Sequence, residues 1–383
     1  MPLDLLVQQM VAQVQSFPLI AIPFFMLTGS LMMGGRLGEA LVGVLSALIG
    51  RFHGGPAQVG VMSSTLFGGV SGSAVADASA IGSLMIPWHR RLGYPPAFSA
   101  ATLAAAATID ILIPPSIPMI LFALSANASI AALFVAGIVP GLLMCAGFMG
   151  VCWWVGRRRG FPRDTTPFAW PAFRRHLLYA SPALLLPVLI IVFLRFGIAT
   201  PTEVAVLSTL YAGLVSAAIY RDLGWRRLND AVVHAGLATG VVLLVIMASS
   251  AIGWLLTFDR MPDGIVQWVQ SHVHSAWLVI VLMNLLMLFI GMFIDLPAAV
   301  LLLTPVFVPL AQSIGMDMTQ LGIMMVVNLA LGLYTPPVGT TLFITSSLAR
   351  VKVGQTVREL IPFYLVALAV LALVSYVPAS ILR

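Results

Sequence analysis

The chain is 383 residues long, 60% hydrophobic and only 8% charged, with a mean hydropathy of +1.04. A soluble domain carries roughly 25% charged residues, so this composition excludes a water-facing globular surface and describes a polytopic membrane protein. The formal net charge of +6 points to membrane topology and not to a nucleic-acid partner, because the basic residues sit in short loops between apolar spans. Transmembrane β-strands alternate polar and apolar residues over about 10 positions. Runs such as 184–194 and 241–248 are unalternated and predict helices, so the expected fold class is an all-α polytopic membrane protein.

The start, MPLDLLVQQM, has no basic n-region and no cleavage pattern, so no signal peptide is expected. A first span is predicted at 17–33, followed by an amphipathic stretch at 36–55 in which Gly34–Gly35 and Gly54–Gly55 read as loop punctuation. Residues 56–88 are apolar but interrupted by GGVSGS at 68–73. Each side is about 15 residues, or ~22 Å at 1.5 Å per residue, short of the ~30 Å hydrocarbon core. That length predicts a re-entrant hairpin. Residues 97–124 are broken by Pro114–Pro115, which predicts a crossing helix unwound at mid-membrane. Spans follow at 130–155, 177–196, 204–220 and 231–257. A second amphipathic stretch (259–274), a second hairpin (276–310, tip near 293–297), a second broken helix (321–348) and a final span (360–381) complete the chain. Cys145 and Cys152 lie seven apart on one predicted helix, too distant for a disulfide, and are assigned to packing; His234, near the inner end of a span, is assigned to packing or the interface. Trp153 and Trp154 fit the interfacial aromatic belt. Arg195 and Glu203 flank the turn GIATPTE as anchor and cap.

Sliding the sequence by 222 residues superposes its punctuation without a gap. Phe67 falls on Phe289, Gly69 on Gly291, Pro87 on Pro309, Pro114–Pro115 on Pro336–Pro337, and Pro140 on Pro362. Paired interruptions at corresponding places are the best sequence pointer to the binding site of a secondary transporter. With 157–176 placed inside, the positive-inside rule puts sixteen of the 19 Lys and Arg on that side, Arg36 among them. Arg195, Arg260 and Arg383 stay outside. Hairpin one then opens to the cytoplasm and hairpin two to the opposite side, an inverted-topology repeat.

Irregular backbone is tolerated at membrane depth only where it is buried in protein or lines a wet cavity. The two tips (68–73 and 294–297) and the two unwound stretches (108–116 and 332–339) are expected to converge there. Freed carbonyls suit Na⁺, and the N-termini of new half-helices attract anions. Ser71, Ser73, Thr335 and Thr340 add hydroxyls. Asp77, Asp110 and Asp295 are acids at depth and candidates by default. Asp77 caps the second hairpin arm or belongs to the site, and Asp295 is favoured as a site residue. Asp110 ligands Na⁺, carries a proton, or is a protonated structural group.

The motifs SFPLIAIPFFMLTGSLM (16–32), FGGVSGSAVADASAIGSLMIP (67–87), IPPSIPMILFA (113–123), GIATPTE (197–203), GMFIDLPAAVLLLTPVFVPLA (291–311) and LGLYTPPVGTTLF (331–343) resemble those of the large membrane subunit of TRAP, tripartite ATP-independent periplasmic, transporters (DctM-like). The resemblance runs from Ser16 onward. It implies Na⁺-driven uptake of a small carboxylate-bearing solute, such as a C4-dicarboxylate, keto acid or sugar acid, by an elevator-type ion-transporter fold. It also implies residence in the bacterial inner membrane, a small four-helix membrane subunit (Q type), a periplasmic solute-binding protein (P type), and no cofactor beyond Na⁺ as coupling ion. Under the resemblance, the first Na⁺ site involves Ser71, Gly72, Ser73 and the backbone before Pro114; Asp110 stands beside it on the residue reading alone. The second involves Gly291, Asp295, Gly332, Thr335 and Gly339. The solute is expected at Ser73, Pro115, Ser116, Pro337 and Thr340. The implied organisation is a scaffold helix and arm (1–55), a first transport repeat (56–156), scaffold helices and a second arm (157–275), and a second transport repeat (276–383). Two departures stand out. The family usually has Gly-Pro where this chain has Asp110–Ile111, and the chain starts one N-terminal span later than the family norm.

Three rival readings are weaker, among them a channel, whose continuous pore needs no binding protein and does not saturate at low solute concentration. Gly69-Val70-Ser71-Gly72 matches the G-x-S-G of rhomboid-type intramembrane proteases, but no histidine sits deep in a predicted span, and the expectation is a non-enzyme. A stand-alone Na⁺–carboxylate symporter of the same fold is the closer alternative.

Overall fold

Glycine and proline decide where each helix of this chain stops and the next begins. The computed structural model describes residues 3–32, 37–163, 168–273 and 275–378. Gly34–Gly35, Arg36 and Arg383, used in the sequence reading, lie outside them. Among the described residues all regular structure is helical. A short α1 (Leu3–Val14) meets the 3₁₀ turn Phe17–Ile20 and α2 (Ala21–Met32) at a 60° bend. The arm α3 (Leu37–Ile49) leads into hairpin one, α4 (Gly55–Ser71) and α5 (Ala74–Arg91). The first broken helix is α6 (Pro96–Ala106), a 3₁₀ turn and α7 (Ile117–Ala126). Four long helices follow: α8 (Ile130–Arg159), α9 (Trp170–Arg195), α10 (Pro201–Leu214, extended by a π turn to Ile219) and α11 (Trp225–Phe258). The second arm α12 (Met261–His272) precedes hairpin two, α13 (Ala276–Gly291) and α14 (Leu296–Ser313). The second broken helix, α15 (Met318–Gly332) and α16 (Thr340–Ala349), and the closing span α17 (Val353–Tyr376) end the fold.

The expected elements are present with shifted bounds: α14 begins at Leu296, so the second tip is 292–295 and not 294–297, and the closing span starts at Val353 and not at 360. The first hairpin tip is much shorter than 68–73, because α4 continues through Gly68 and Gly69 to Ser71. Gly72 then takes φ +63°, the left-handed conformation that ends helices. Ser73 starts the next helix at once, its hydroxyl accepting from the Ala76 N–H at 3.5 Å. This settles the capping question for Asp77: Ser73 is the cap, and Asp77 lies one turn further in. Glu203 does complete a capping box, accepting from the Thr200 N–H at 2.7 Å. Arg157 and Arg158 lie over the Trp153 and Trp154 rings, as befits the interface, and both cysteines are buried and free.

Packing follows the duplication. The second arm of hairpin one (α5) packs on the second half of broken helix two (α16), and α14 of hairpin two packs on α7 of broken helix one. The corresponding spans α8 and α17 run antiparallel: Arg159 at the end of α8 pairs with Glu359 at the start of α17 at 2.8 Å, and Phe148 meets Phe363 midway. Two copies of one motif thus face each other in opposite directions. Their broken helices form the interior. Every residue from 98 to 123 and from 321 to 334 is buried, the state expected of segments apolar on all sides. By contrast α9 and α11 expose leucines such as Leu178, Leu237 and Leu244, so they lie at the perimeter of the fold.

Candidate functional site

The interruptions meet around one cavity. Its volume is about 280 Å³, and its lining includes Gly72, Ser73 and Ala74 from hairpin one and Asp295, Leu296 and Pro297 from hairpin two. Ile111, Ile117 and Pro118 of the first break and Leu333 of the second complete that ring, while α2 and α11 close it with Met26, Ala238 and Val242. The N-termini of α5, α7 and α14 therefore all open onto it. Each brings the unsatisfied N–H groups and positive dipole end of a helix start. Asp295 is exposed to this space, caps α14 by position alone and makes no side-chain cap bond.

A wider vestibule of about 670 Å³ shares Met26, Ser73, Val75 and Ala238 with this cavity, so the two adjoin. Its walls add Ser71 and Ser79 on the hairpin side and Ser30, Arg227, Asp230 and His234 on the α2–α11 side. Arg227 forms an ion pair with Asp222 and donates to the Leu31 carbonyl at 2.9 Å. The His234 Nδ1 lies 3.5 Å from the Ser30 hydroxyl. The sequence assigned Arg227 to topology and His234 to packing or the interface, and did not reveal this wall.

At the first predicted ion site, the structure brings Ser71, Gly72, Ser73 and Asp110 together in an unexpected sense. The Asp110 carboxylate accepts from the Ser71 hydroxyl (3.0 Å), the Gly72 N–H (3.1 Å) and the Ser73 N–H (2.9 Å). The tip thus presents donors to an internal anion. Gly68 permits this approach, since a Cβ there would stand 2.7 Å from the Asp110 Cα. Acceptors come from the unwound backbone on the other side. A Cβ at Gly72 would meet the Pro115 carbonyl at 2.5 Å, and one at Gly69 lies 3.7 Å from the Pro114 carbonyl. Hydroxyl, carbonyl and carboxylate oxygens therefore surround the same turn. Ser116 is buried behind it as cap of α7, donating to the Ile111 carbonyl at 2.6 Å.

At the second site Gly291 and Gly332 touch backbone to backbone, and a Cβ on Gly332 would sit 2.9 Å from the Gly291 Cα. The Val338 N–H donates to the Met292 carbonyl at 3.3 Å, which ties tip two to its break. The Thr335 hydroxyl donates to the Leu331 carbonyl at 2.6 Å, and Gly339 sits at φ +41° against the Thr335 carbonyl. The Thr340 hydroxyl is buried without a partner. Of the five predicted solute residues, Ser73 lines the cavity. Pro115 and Ser116 are buried, and Pro337 is exposed beyond the cavity lining.

Comparison with known proteins gives a consistent picture. The family model for the DctM component of the tripartite ATP-independent periplasmic transporter matches residues 1–380. The chain is 55% identical over 379 residues to the uncharacterized protein y4mL of Sinorhizobium fredii, covering 99% of this chain and 90% of that one. It is 36% identical over 382 residues to the 2,3-diketo-L-gulonate TRAP transporter large permease protein YiaN of Escherichia coli, covering 99% and 89%. Among solved structures, the YdaH transporter of Alcanivorax borkumensis, described as having an unusual topology, superposes with a TM-score of 0.71. The identity is 15%, over 97% of this chain and 88% of that one, a likeness of fold.

Proposed function

Because the chain belongs to the DctM component family of tripartite ATP-independent periplasmic transporters, we propose that it is a large permease subunit that couples Na⁺ entry to uptake of a small carboxylate-bearing solute. The observation that carries this reading is the central cavity. Three half-helix N-termini and one acid, Asp295, face the same 280 Å³. Helix starts hold a carboxylate, while Asp295 and freed carbonyls hold a cation beside it. That volume is at the lower end of ligand sites, roughly 300–1,000 Å³, which fits a dicarboxylate, a keto acid or a sugar acid such as the diketogulonate named for the Escherichia coli relative.

The first Na⁺ site uses Ser71, Asp110 and the carbonyls at Pro114–Pro115, and the second uses Asp295 with backbone oxygens at Gly291, Gly332, Thr335 and Gly339. Residues 56–156 and 276–383 form a moving transport domain, and 1–55 and 157–275 form a fixed scaffold, so that solute crosses by an elevator movement in the bacterial inner membrane. A four-helix Q-type subunit extends the scaffold, and a P-type binding protein delivers the solute. The reading is tested by uptake of labelled 2,3-diketo-L-gulonate and of a C4-dicarboxylate into proteoliposomes. Binding protein and an inward Na⁺ gradient are each supplied or withheld. Uptake requiring both is expected. Uptake without the binding protein marks a stand-alone symporter, and uptake indifferent to Na⁺ refutes the coupling ion.

A further inference from the structure

We propose that the start of α9 and the end of α10 form a site for an anionic phospholipid of the cytoplasmic leaflet, its phosphate held by Arg174 and Arg175. The site stands apart from the solute pathway and shares no lining residue with the central cavity or the vestibule.

A groove of about 680 Å³ opens there. It is walled by Trp170, Arg174, Arg175, Leu178 and Tyr179 of α9 and by Ile219, which ends the π turn extending α10. The α9 residues recur at intervals of three and four, so they form one stripe of the helix. Their chemistry changes along it. Trp170 opens the helix, stacked on Phe173. The two arginines come one turn later, and Leu178 and Tyr179 one turn after that. Residues 177–194 carry no charged side chain and rise ~27 Å, close to the thickness of a hydrocarbon core. Arg174 and Arg175 therefore stand within a turn of the edge of the apolar layer, at headgroup depth. The positive-inside rule assigns that edge to the cytoplasm.

Neighbouring arginines are engaged by the protein, and these two are not. Arg157 and Arg158 lie over the Trp153 and Trp154 rings, and Arg159 pairs with Glu359. Arg163 contacts the His53 ring, and Arg227 pairs with Asp222 just beyond α10. Among the described residues Arg174 and Arg175 have no hydrogen-bond or ion-pair partner, and no acidic side chain lines the groove.

Two adjacent guanidinium groups beside an exposed apolar wall define the occupant. A guanidinium grips phosphate oxygens through paired N–H···O bonds. Leu178 and Ile219 are 62% and 53% exposed. Leu178 lies on the membrane side of the arginines with Ile219 across the groove, where an acyl chain attached to that phosphate runs. Basic pockets between transmembrane helices on the cytoplasmic side hold anionic headgroups by the same combination. Free phosphate would fill the basic end and leave the apolar wall bare. A zwitterionic lipid would bring its own cation against the arginines.

Native mass spectrometry of the full chain in detergent tests this, with phosphatidylglycerol, phosphatidylcholine and inorganic phosphate as probes. Phosphatidylglycerol is expected to bind ahead of phosphatidylcholine. Each arginine near an anionic headgroup contributes roughly fivefold, so Arg174→Gln with Arg175→Gln should weaken the first phosphatidylglycerol by about 30-fold. Arg157→Gln with Arg158→Gln removes as much charge from the same side and should leave that affinity within about threefold of wild type. Equal weakening in the two double variants would mean a diffuse basic surface and overturns the site. So does phosphatidylglycerol binding that ignores the loss of Arg174 and Arg175, or phosphate that competes the lipid away and makes the groove a free-anion site. A second readout needs no arginine variant. In vesicles, phosphatidylglycerol with brominated chains should quench tryptophan fluorescence more than brominated phosphatidylcholine does, and Trp170→Phe should abolish that excess. An excess that persists without Trp170 places the lipid elsewhere. Loss of the excess when a small membrane subunit binds would make the groove a protein interface and overturns the lipid assignment.

Discussion

Replacing Asp110 by Asn should loosen the tip of hairpin one without unfolding the protein. The wild-type carboxylate satisfies three donors, two on Oδ2 (Ser71 hydroxyl and Ser73 N–H) and one on Oδ1 (Gly72 N–H). Asn has one acceptor oxygen. Turned to its best side, it keeps the Ser71 and Ser73 bonds and aims its NH₂ at the Gly72 N–H, leaving that donor stranded at a cost of about 1–3 kcal/mol. The two surviving bonds also fall from charge-assisted to neutral strength. A loss of at least ~2 kcal/mol in the closed tip corresponds to roughly 30-fold more frequent opening. Ser71 and Ser73 line the vestibule, so solvent reaches the opened tip, and hydrogen exchange of peptides covering 70–74 reads the opening directly. Ser71→Ala removes one donor and should give only about fivefold, for ~1 kcal/mol. Exchange in Asp110→Asn within threefold of wild type, at unchanged thermal stability, would refute the tether.

Asp295→Asn and Ser73→Ala should each weaken the Na⁺ dependence of uptake while expression stays near normal, and Na⁺ titrations of uptake unchanged in both would remove them from the ion sites. Gly332→Ala presses a methyl group onto the Gly291 carbonyl, with Gly291 Cα only 2.9 Å away. Overpacking of this kind costs about 1–3 kcal/mol, and a thermal-melt midpoint equal to wild type would contradict that contact. Arg159→Ala removes an ion pair whose side chains are 49% and 20% exposed. At such exposure the pair contributes at most ~1 kcal/mol, so a large drop in melting temperature would show that α8 and α17 depend on it more than their geometry implies.

Much of this architecture is written in punctuation. Pro114–Pro115 and Pro336–Pro337 fall in the two unwound stretches, and Gly72–Ser73 performs a helix stop and a helix start in adjacent residues. Proline and glycine act through local backbone geometry, which is why their positions translate directly into breaks. The same letters mislead when their purpose is close approach. Gly68 and Gly69 remain helical because Asp110 and Pro187 pack where their side chains would be, and sequence does not separate the two uses. The convergence of four breaks was inferable from the repeat. The partners of Asp110 were not, because its three donors lie 37 to 39 residues away. The Arg227–His234 wall was hidden for a similar reason: His234 meets Ser30 across 204 residues. The unlike surroundings of the two breaks were equally illegible. The first is wholly buried, whereas Pro337 and Val338 of the second are exposed.

The charge distribution predicts which side of the membrane the vestibule serves. Tip one is covered and tethered, yet the space beside it is the larger of the two adjoining cavities. Its wall carries Arg227 and Asp230, near the start of α11. The charge distribution assigns that end of α11 to the cytoplasm, since Arg221, Arg226 and Arg227 cluster there and basic loops stay inside. Under the proposed function the vestibule is the inward mouth of the pathway, which accessibility from each side tests. Ser79 is exposed on its wall, whereas Cys145 and Cys152 are buried, so a single Ser79→Cys substitution gives a thiol that can be read against a quiet background. A membrane-impermeant maleimide should label it in inside-out vesicles and spare it in right-side-out cells. Labelling from the outside alone would reverse the orientation of both hairpins, and the inward mouth with it. Labelling from both sides would report the elevator movement proposed above, which carries α5 with the transport domain.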